Sequence, residues 1–509
     1  MHYKCIASAP VRNILLLCCP PELPLIVWAG RVTISILPDD VLLQIFFFDE
    51  LKYTSGRGWT YLDGLGGVDR LRRLPWTWHR LVHVCQRWRS VIFASPNFLG
   101  LRLVCLPGTR MDLIGIWPPL PIFITNANDK PMPEDYDFDA AIMHHNRVRE
   151  ITLFSLTRSL LQRLVTRMQE QFPALIHLAL AYEAYSDDAP ALANGFLGGS
   201  ASHLQSLGLG FIPFPALPKF LLTATDLVYL SLMRIPHSGY MSPESIVTGL
   251  AAMAHLKSLI IEFRSPLSRP DRKRRRPPPP IRTILPALTL FRFKGVSEYL
   301  EDLVARIEAP LLDTIRMIFF HQLIFNTPQL AQFMRRTASI QALNEVHIDF
   351  DKFGVCVGYS PPTGTGERLR LKISCREMDW QLSSLAQVFA SFFPSICTVE
   401  HLYMYETPYS QPQWRNDIET TQWLEIFEPF TAVKNLYLTK AFAPLIAHAL
   451  QELVGSEMEG VLRLLPTLQN IFLEAHKSDS RPVLEGIEKF VAARQLSDHP
   501  ITVSLWERH

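Results

Sequence analysis

The chain has 509 residues, 50 basic against 48 acidic side chains, and 48% hydrophobic residues. Such balance argues against a protein whose whole surface is built to attract nucleic acid or an anionic membrane. The hydrophobic content excludes overall disorder, and the length predicts several domains or one elongated array of repeats.

The eight cysteines are scattered, with no CxxC pair and no histidine at zinc-binding spacing, and no asparagine begins an Asn-x-Ser/Thr site. These features favour a reducing compartment, the cytoplasm or nucleus, over secretion. We expect residues 1–33 to form a disordered leader. Prolines interrupt its apolar run at residues 13–30, and each half is too short to span a bilayer, although a signal or anchor is the alternative.

Residues 36–51 (ILPDDVLLQIFFFDEL) predict an amphipathic helix. The run places a proline at the first helical position and two acids in the first turn, where the helix dipole favours them. Apolar side chains then recur at helical spacing. They are Val41, Leu42, Ile45 and Phe46.

Residues 76–94 predict a second helix, which Ser95-Pro96 ends because proline supplies no amide donor. One stripe of this helix is apolar and the opposite side is polar. The apolar stripe contains Leu81, Val84, Cys85 and Trp88, and the polar side contains Arg80, Gln86, Arg87 and Arg89.

The joint occurrence of LPDDVLLQIF and VCQRWRSV in this order resembles the F-box, a small helical module that docks on a Skp-type adaptor of cullin-RING ubiquitin ligases. The domain would cover residues 34–100, with an insertion at about 52–75 in place of the family's short link. A generic amphipathic hairpin is the alternative. The resemblance implies nine adaptor-binding residues: Leu37, Pro38, Val41, Leu42, Ile45, Phe46, Val84, Cys85 and Trp88.

A pattern apolar-x-x-apolar-x-apolar recurs eleven times after the F-box. Successive starts lie 23 to 35 residues apart, except for an interval of 56 residues that holds a further strand-like run at 369–375, out of strict register. Helical stretches lie between many of the matches. The period predicts an α/β fold, an irregular leucine-rich-repeat solenoid of parallel strands and helices over residues 101–509. The matches start at Val148, Leu175, Leu204, Leu227, Leu256, Leu288, Leu312, Leu343, Val399, Val433 and Leu468.

One feature weakens the match to regular repeats. The asparagine or cysteine that usually follows each strand is missing, because Glu183, Ile212 and Ile235 occupy those places. We therefore expect no internal amide ladder and an irregular curvature. A doubly wound α/β domain, which also alternates strands and helices, is the alternative fold.

From residue 36 onward the chain resembles a large group of mushroom-type fungal F-box proteins, most closely at VLLQIF, at LVHVCQRWRSVIFASPNFLGLRLVC and at the stretch beginning PFPALPKFLL. The resemblance implies a non-catalytic substrate-receptor subunit of an SCF-type ubiquitin ligase. Its partners would be the adaptor, a cullin through it, and an unknown target protein on the repeats. The alternatives are an adaptor-bound scaffold without a degraded target, and a binding solenoid whose hairpin is only a cap.

No Walker or Rossmann glycine spacing, HExxH or GxSxG occurs, so we expect no catalytic residue, cofactor, metal, nucleic acid or membrane partner. Tyr403 alternates outward from its strand and is a candidate for a partner-binding surface, as are other aromatics such as Trp423. A proline-rich loop at 265–282 carries a basic run. It is either a nuclear-import or acidic-partner contact or a plain solvated insertion. The run is Arg272, Lys273, Arg274, Arg275 and Arg276.

Overall fold

The computed structural model divides into two compact units, a helical unit ending at Gly100 and a repeat unit from Leu101 onward. The predicted leader, the insertion between the first two helices and the basic run Arg272–Arg276 lie outside the described residues. The structure describes residues 36–52, 77–96, 98–107, 114–115, 118–126, 138–183, 189–270, 279–322, 324–337, 344–361, 367–375, 378–392, 396–406, 420–456, 463–474, 481–496 and 498–506.

The helical unit contains α1 (Asp39–Lys52), α2 (Thr77–Val82) and α3 (Gln86–Ala94). The prediction of one continuous second helix is wrong, because the chain turns between α2 and α3. Cys85 has extended backbone angles there, and its Sγ accepts a hydrogen bond from the Trp88 amide at 3.5 Å. The thiol thus acts as an N-cap for α3. As predicted, α3 ends immediately before Ser95-Pro96.

The repeat unit is built from strands and helices, which alternate over much of its length. Its strands are β1 (Leu103–Cys105), β2 (Ile122–Thr125), β3 (Val148–Leu156), β4 (His177–Tyr182), β5 (Ser206–Gly210), β6 (Tyr229–Ile235), β7 (Ser258–Phe263), β8 (Thr283–Ile284), β9 (Leu290–Gly295), β10 (Ile307–Glu308), β11 (Thr314–Phe320), β12 (Glu345–Asp351), β13 (Gly354–Ser360), β14 (Leu369–Ser374), β15 (His401–Glu406), β16 (Asn435–Leu438), β17 (Asn470–Glu474) and β18 (Thr502–Trp506). Its helices are α4 (Asp139–Ile142), α5 (Arg158–Arg167), α6 (Leu217–Leu221), α7 (Pro243–Leu250), α8 (Ser297–Val304), α9 (Pro328–Arg336), α10 (Met378–Phe392), α11 (Thr420–Phe427), α12 (Phe442–Ser456) and α13 (Arg481–Leu496).

Sixteen of the described strands form one sheet, and β8 pairs with β10 separately. From β1 to β7, and on through β9 and β11, each strand lies beside the next and parallel to it. A doubly wound domain would reverse the direction of strand order at a switch point. This part of the sheet grows in one direction only, as in an α/β solenoid, and is consistent with the leucine-rich-repeat class.

The order of strands is inverted over β12, β13 and β14. The sheet runs β11-β14-β13-β12-β15, with β13 antiparallel to both of its neighbours. The strand that pairs with β11 is therefore β14, the run at 369–375, and the two align in continuous parallel register from Ile315↔Leu369 to Phe320↔Ser374. The predicted strand-like run at 369–375 is thus a strand of the sheet, and its departure from the sequence period does not disturb its pairing with β11. The long interval in the sequence is an inserted three-strand meander.

The predicted apolar pattern forms the core. Every described residue of the eleven matches is at most 5% exposed, and these side chains point toward the helices. Burying one Leu or Ile contributes about 1.5–3 kcal/mol, so the recurring row supplies much of the stability of the repeat unit. Successive helices also pack closely. A Cβ at Gly249 of α7 would lie 3.0 Å from both Leu221 Cβ and Pro218 O of α6.

At two positions where regular repeats carry asparagine, the apolar side chains of Ile212 and Ile235 are buried instead. An asparagine nevertheless bridges strands elsewhere. Asn126 donates from Nδ2 to Phe154 O at 2.6 Å and accepts from Phe154 N at 3.0 Å. Asn126 follows β2 and Phe154 belongs to β3, at the point where the register between β3 and β4 shifts. The contact therefore satisfies backbone groups of Phe154 that the shifted register does not pair.

Candidate functional site

One row of residues crosses the sheet from β3 to β18 on the face opposite to the apolar core. We call it the outer row. Its members are Cα partners on successive strands, and each stands between the second and third apolar residues of its strand. In sheet order they are Thr152, Ala179, Gly208, Ser231, Ile260, Arg292, Arg316, Arg370, Gly358, His347, Tyr403, Tyr437, Phe472 and Ser504.

The middle of the outer row is basic. Arg292, Arg316 and Arg370 are direct neighbours on β9, β11 and β14. Two residues further along the same strands, Lys294 and Lys372 flank Ile318. We call these five cations the basic patch. Like charges directly opposite each other destabilise a sheet, by about 0.2–1 kcal/mol per pair, so this arrangement does not serve the fold.

Three carboxylates pair with the margins of the basic patch. Arg292 Nε lies 2.6 Å from Glu262 Oε1, and Lys372 Nζ lies 2.7 Å from Asp351 Oδ2. Arg370 contacts Glu367 and also donates from Nε to Cys356 Sγ at 3.2 Å. These contacts hold the outer cations in fixed positions and leave the centre of the patch uncompensated.

The centre of the patch consists of Arg316, which is exposed, and Lys294, which is half-buried. Among the described residues, neither has an ion-pair partner, and Lys294 Nζ lies 5.7 Å from the centroid of the Phe320 ring. Burial lowers the pKa of Lys294, and the nearby cations Arg234, Arg292 and Lys372 lower it further against the opposing effect of Glu262. In the described residues, the patch thus contains five cations, of which three have an ion-pair partner.

Aromatic rings follow in the outer row, and we call them the aromatic ladder. His347, Tyr403, Tyr437 and Phe472 stack in sequence, with centroid distances of 4.5, 4.2 and 4.5 Å and interplanar angles of 8°, 11° and 9°. Trp506 meets Tyr437 edge-on at 5.6 Å. Burial lowers the pKa of His347 although Glu345 opposes this shift, which favours a neutral imidazole in the stack.

Gly358 of β13 separates the basic patch from the aromatic ladder. A Cβ at this glycine would lie 2.5 Å from Glu367 Oε1, so the absence of a side chain makes room for that carboxylate. Beside the ladder, two residues nearer the strand starts, polar groups form a parallel line. Asn435 Nδ2 lies 3.2 Å from His401 Nδ1, and Asn470 Nδ2 donates to Asn435 Oδ1 at 2.7 Å.

The predicted F-box residues of the helical unit differ in the exposure of their side chains. Leu42 and Phe46 are buried at 0% and 2% exposure, and the Phe46 ring packs 4.7 Å from that of Trp88. Val41 and Val84 are 36% and 57% exposed. Of the remaining predicted residues, the half-buried ones are Leu37 and Ile45, and the exposed ones are Pro38 and Cys85.

Arg87 fastens the start of α1 to α3. Its Nη2 donates to Asp39 Oδ1 and to Leu37 O, both at 2.6 Å. Val84 lies in the turn before α3 and not on a helical face, which explains why it is so exposed. The helical unit thus has its own small core and exposed apolar side chains outside it.

Among the predicted aromatic candidates, Tyr403 is confirmed as a member of the outward face. Trp423 is not a surface residue, because it is 2% exposed and packs against Phe350 and Phe442. Sequence reasoning missed the basic patch and most of the aromatic ladder. Comparing the single residue before the last apolar position of every repeat would have identified Arg292, Arg316 and the aromatic residues as outer-row members, but not the contacts that depend on the inverted strand order.

The described residues include a groove at the strand starts. They contain no group of three or more His, Cys, Asp or Glu side chains arranged to hold a metal. The groove has a volume of about 490 Å³ and is lined by residues such as Arg147, Gln205 and Asp226. Arg147 there is held by the carbonyls of Leu120 and Pro118. Within the described part of the chain, no helix combines the length and the apolar character needed to cross a membrane.

Comparisons of the chain with known proteins identify structural similarity but no family. No protein-family model matches the chain. No curated protein matches it either. Among solved structures, the leucine-rich-repeat-containing protein LegL7 from Legionella pneumophila is similar at 14% sequence identity and a TM-score of 0.26, over 64% of this chain and 93% of that one.

Proposed function

We propose that the chain is the substrate-receptor subunit of an SCF-type ubiquitin ligase, with the helical unit as its F-box and the repeat unit as its target-binding part. The observation that carries the proposal is the apolar surface of the helical unit. Val41 and Val84 are exposed beside a core of Leu42 and Phe46, in the residue order that resembles the F-box.

Exposed apolar side chains on a small helical unit would suit a protein-docking surface. The nine predicted residues then have two roles. Leu42, Phe46 and Trp88 would hold the helices together, and the exposed Pro38, Val41 and Val84 would contact the Skp-type adaptor. The unit would work by positioning, since a docked receptor raises the local concentration of its target near the ubiquitin-carrying enzyme.

The repeat unit supports the second half of the proposal. Its apolar row builds the sheet, whereas the outer row changes character from strand to strand. Its members are buried from Thr152 to Ile260, and from Arg292 onward most are half-buried or exposed and would be available to a partner. Bond-making chemistry would belong to other subunits. The opposing hypothesis is a binding scaffold whose hairpin has no adaptor.

Co-purification of the tagged full chain tests the proposal. We expect the Skp-type adaptor and cullin with the wild type and their loss with Val41→Glu/Val84→Glu, because two charges would be buried on docking. Ser90→Ala, an exposed change on α3, is the matched control and should retain both partners.

We expect the double variant to fold, because both valines lie outside the core of the helical unit. Circular dichroism would verify this. If wild type and double variant recover equal amounts of adaptor, or neither recovers any, the receptor proposal is wrong. A target stabilised by proteasome inhibition, bound equally by both variants, would support the receptor role against that of a plain scaffold.

A further inference from the structure

We propose that the basic patch and the aromatic ladder together bind one acidic segment of a protein partner, with its Asp or Glu carboxylates on the patch and an aromatic or apolar side chain on the ladder. This inference rests on the proposed function in that the segment would belong to the ligase target. It goes further by assigning the binding face and the chemistry of the ligand.

The charges of the patch set the sign of the ligand. Five cations meet three carboxylates, those of Glu262, Asp351 and Glu367, which leaves a surplus of two positive charges. The surplus lies at the centre, where Arg316 and Lys294 have no ion-pair partner among the described residues. Two carboxylates from a ligand would complete the pairing that the protein's own carboxylates begin at the margins.

The repulsion between the cations of the basic patch lowers the stability of the fold, and this also indicates a binding site. Three arginines in strict register on adjacent strands repel one another, and Lys294 is half-buried among further cations. Stability would favour neutral side chains at such positions. An arrangement that costs stability on an ordered surface is typical of a binding site.

The spacing sets the length of the ligand. The patch spans three strands, so it is about 10 Å wide at a strand separation of about 4.8 Å. His347, the first ring of the ladder, lies two strands beyond Arg370 and is separated from it by the side-chain-free Gly358. An extended peptide advances about 3.3 Å per residue, so roughly three residues bridge from the last cation to the first ring.

Two observations favour a peptide over nucleic acid. The net charge of the chain is only +2, and the outer row is basic over three neighbouring strands only. A nucleic-acid ligand would need a longer basic track along its phosphates. The stacked rings end at Phe472 and leave an apolar surface of the kind that anchors protein partners.

Fluorescence anisotropy with the purified full chain tests the inference without any adaptor. The probe is a labelled peptide with a run of glutamates, three neutral residues and a tryptophan. Its controls are the same peptide with glutamines and one with alanine for tryptophan. We expect the glutamate–tryptophan peptide to bind tightest and to weaken as salt rises, because the ion pairs are screened.

Variants locate the site. Lys294→Glu/Arg316→Glu should weaken binding about tenfold or more by reversing the central charge. Lys219→Glu/Lys257→Glu, two exposed lysines outside the outer row, makes the same charge change and should leave affinity within about twofold of the wild type. Tyr403→Ala should weaken binding of the tryptophan peptide but not of the alanine peptide.

Equal binding of the glutamate and glutamine peptides, or equal losses in the patch and control double variants, would overturn the inference. So would tighter binding of single-stranded RNA at the same residues. A second measurement guards against misfolding: Arg316→Gln should leave the unfolding temperature unchanged or raise it, since it relieves repulsion. The patch variants should still recover the adaptor, so failure here and failure of the receptor proposal are separate results.

Discussion

The outer row is small and uncharged across β3–β6 but aromatic across β12 and β15–β17. In the first region it contains Thr152, Ala179, Gly208 and Ser231, and in the second His347, Tyr403, Tyr437 and Phe472. The apolar core row is the same in both regions. The outer-row members are buried in the first region and half-buried in the second, so only the second region presents them in part to solvent. The basic patch lies between the two regions.

The largest effect should come from the core row, equally in both regions. Leu207→Ala and Leu436→Ala each remove a fully buried side chain and should lower the free energy of unfolding by about 2–5 kcal/mol. Chemical denaturation followed by tryptophan fluorescence measures it. The outer-row change Tyr437→Ala is the control, at about 1 kcal/mol for lost stacking. If either core-row variant lost less unfolding free energy than Tyr437→Ala, the distinction between a structural core row and an outer row would be wrong.

The meander should respond more strongly at one glycine than at another. A Cβ at Gly354 would lie 2.1 Å from the backbone oxygen of Ile373, which is fixed by strand pairing. We expect Gly354→Ala to cost about 1–3 kcal/mol of unfolding free energy by overpacking. Gly358→Ala meets only the flexible end of Glu367 and should cost under about 1 kcal/mol. Thermal unfolding of the pair measures both, and a reversed ranking would contradict the inverted strand order.

The smallest effect is a pH dependence found in the aromatic region. Burial lowers the pKa of His347 below its ordinary value of 6.5, so the unfolded chain takes up a proton that the folded chain excludes. The stability contribution is therefore present above pH 6.5 and is lost as the pH falls below it. Burial lowers the pKa of His321, which stacks on Trp380, in the same direction.

Denaturation between pH 7.5 and 5 measures this loss. His347→Phe keeps an aromatic ring in the stack and should make the unfolding free energy less dependent on pH, whereas Tyr403→Phe should leave the dependence as it is in the wild type. An unchanged dependence in His347→Phe would show that the imidazole is not shielded by the ladder.

The fold was largely predictable because it follows from one periodic cause. Burial of the apolar pattern repeats from Val148 to Leu473, and each match became a strand. The meander was not predictable by the same means, since Leu369, Leu371 and Ile373 satisfy the pattern of a strand equally well in any order. Strand order depends on which edges meet in space, and a local period does not contain that information.

The candidate site was only partly predictable. Tyr403 could be placed outward from alternation alone, but its stacking on His347 depends on the inversion that puts β12 beside β15. The basic patch also depends on it, because β14 brings Arg370 beside Arg316 across a long stretch of sequence. In the helical unit, the break at Cys85 was missed because a cysteine is an unusual N-cap and the apolar spacing continues through it.

The inverted order also has a consequence for synthesis of the chain. β11 is complete at Phe320, but its neighbour β14 begins at Leu369, roughly 50 residues later, or several seconds at about 5–20 residues per second. During that interval the growing sheet ends in an unpaired edge strand, which is prone to pairing with other chains. The sheet can therefore extend beyond β11 only after the meander has been synthesised and folded. A chaperone that binds the nascent chain would protect the edge of β11 during this interval.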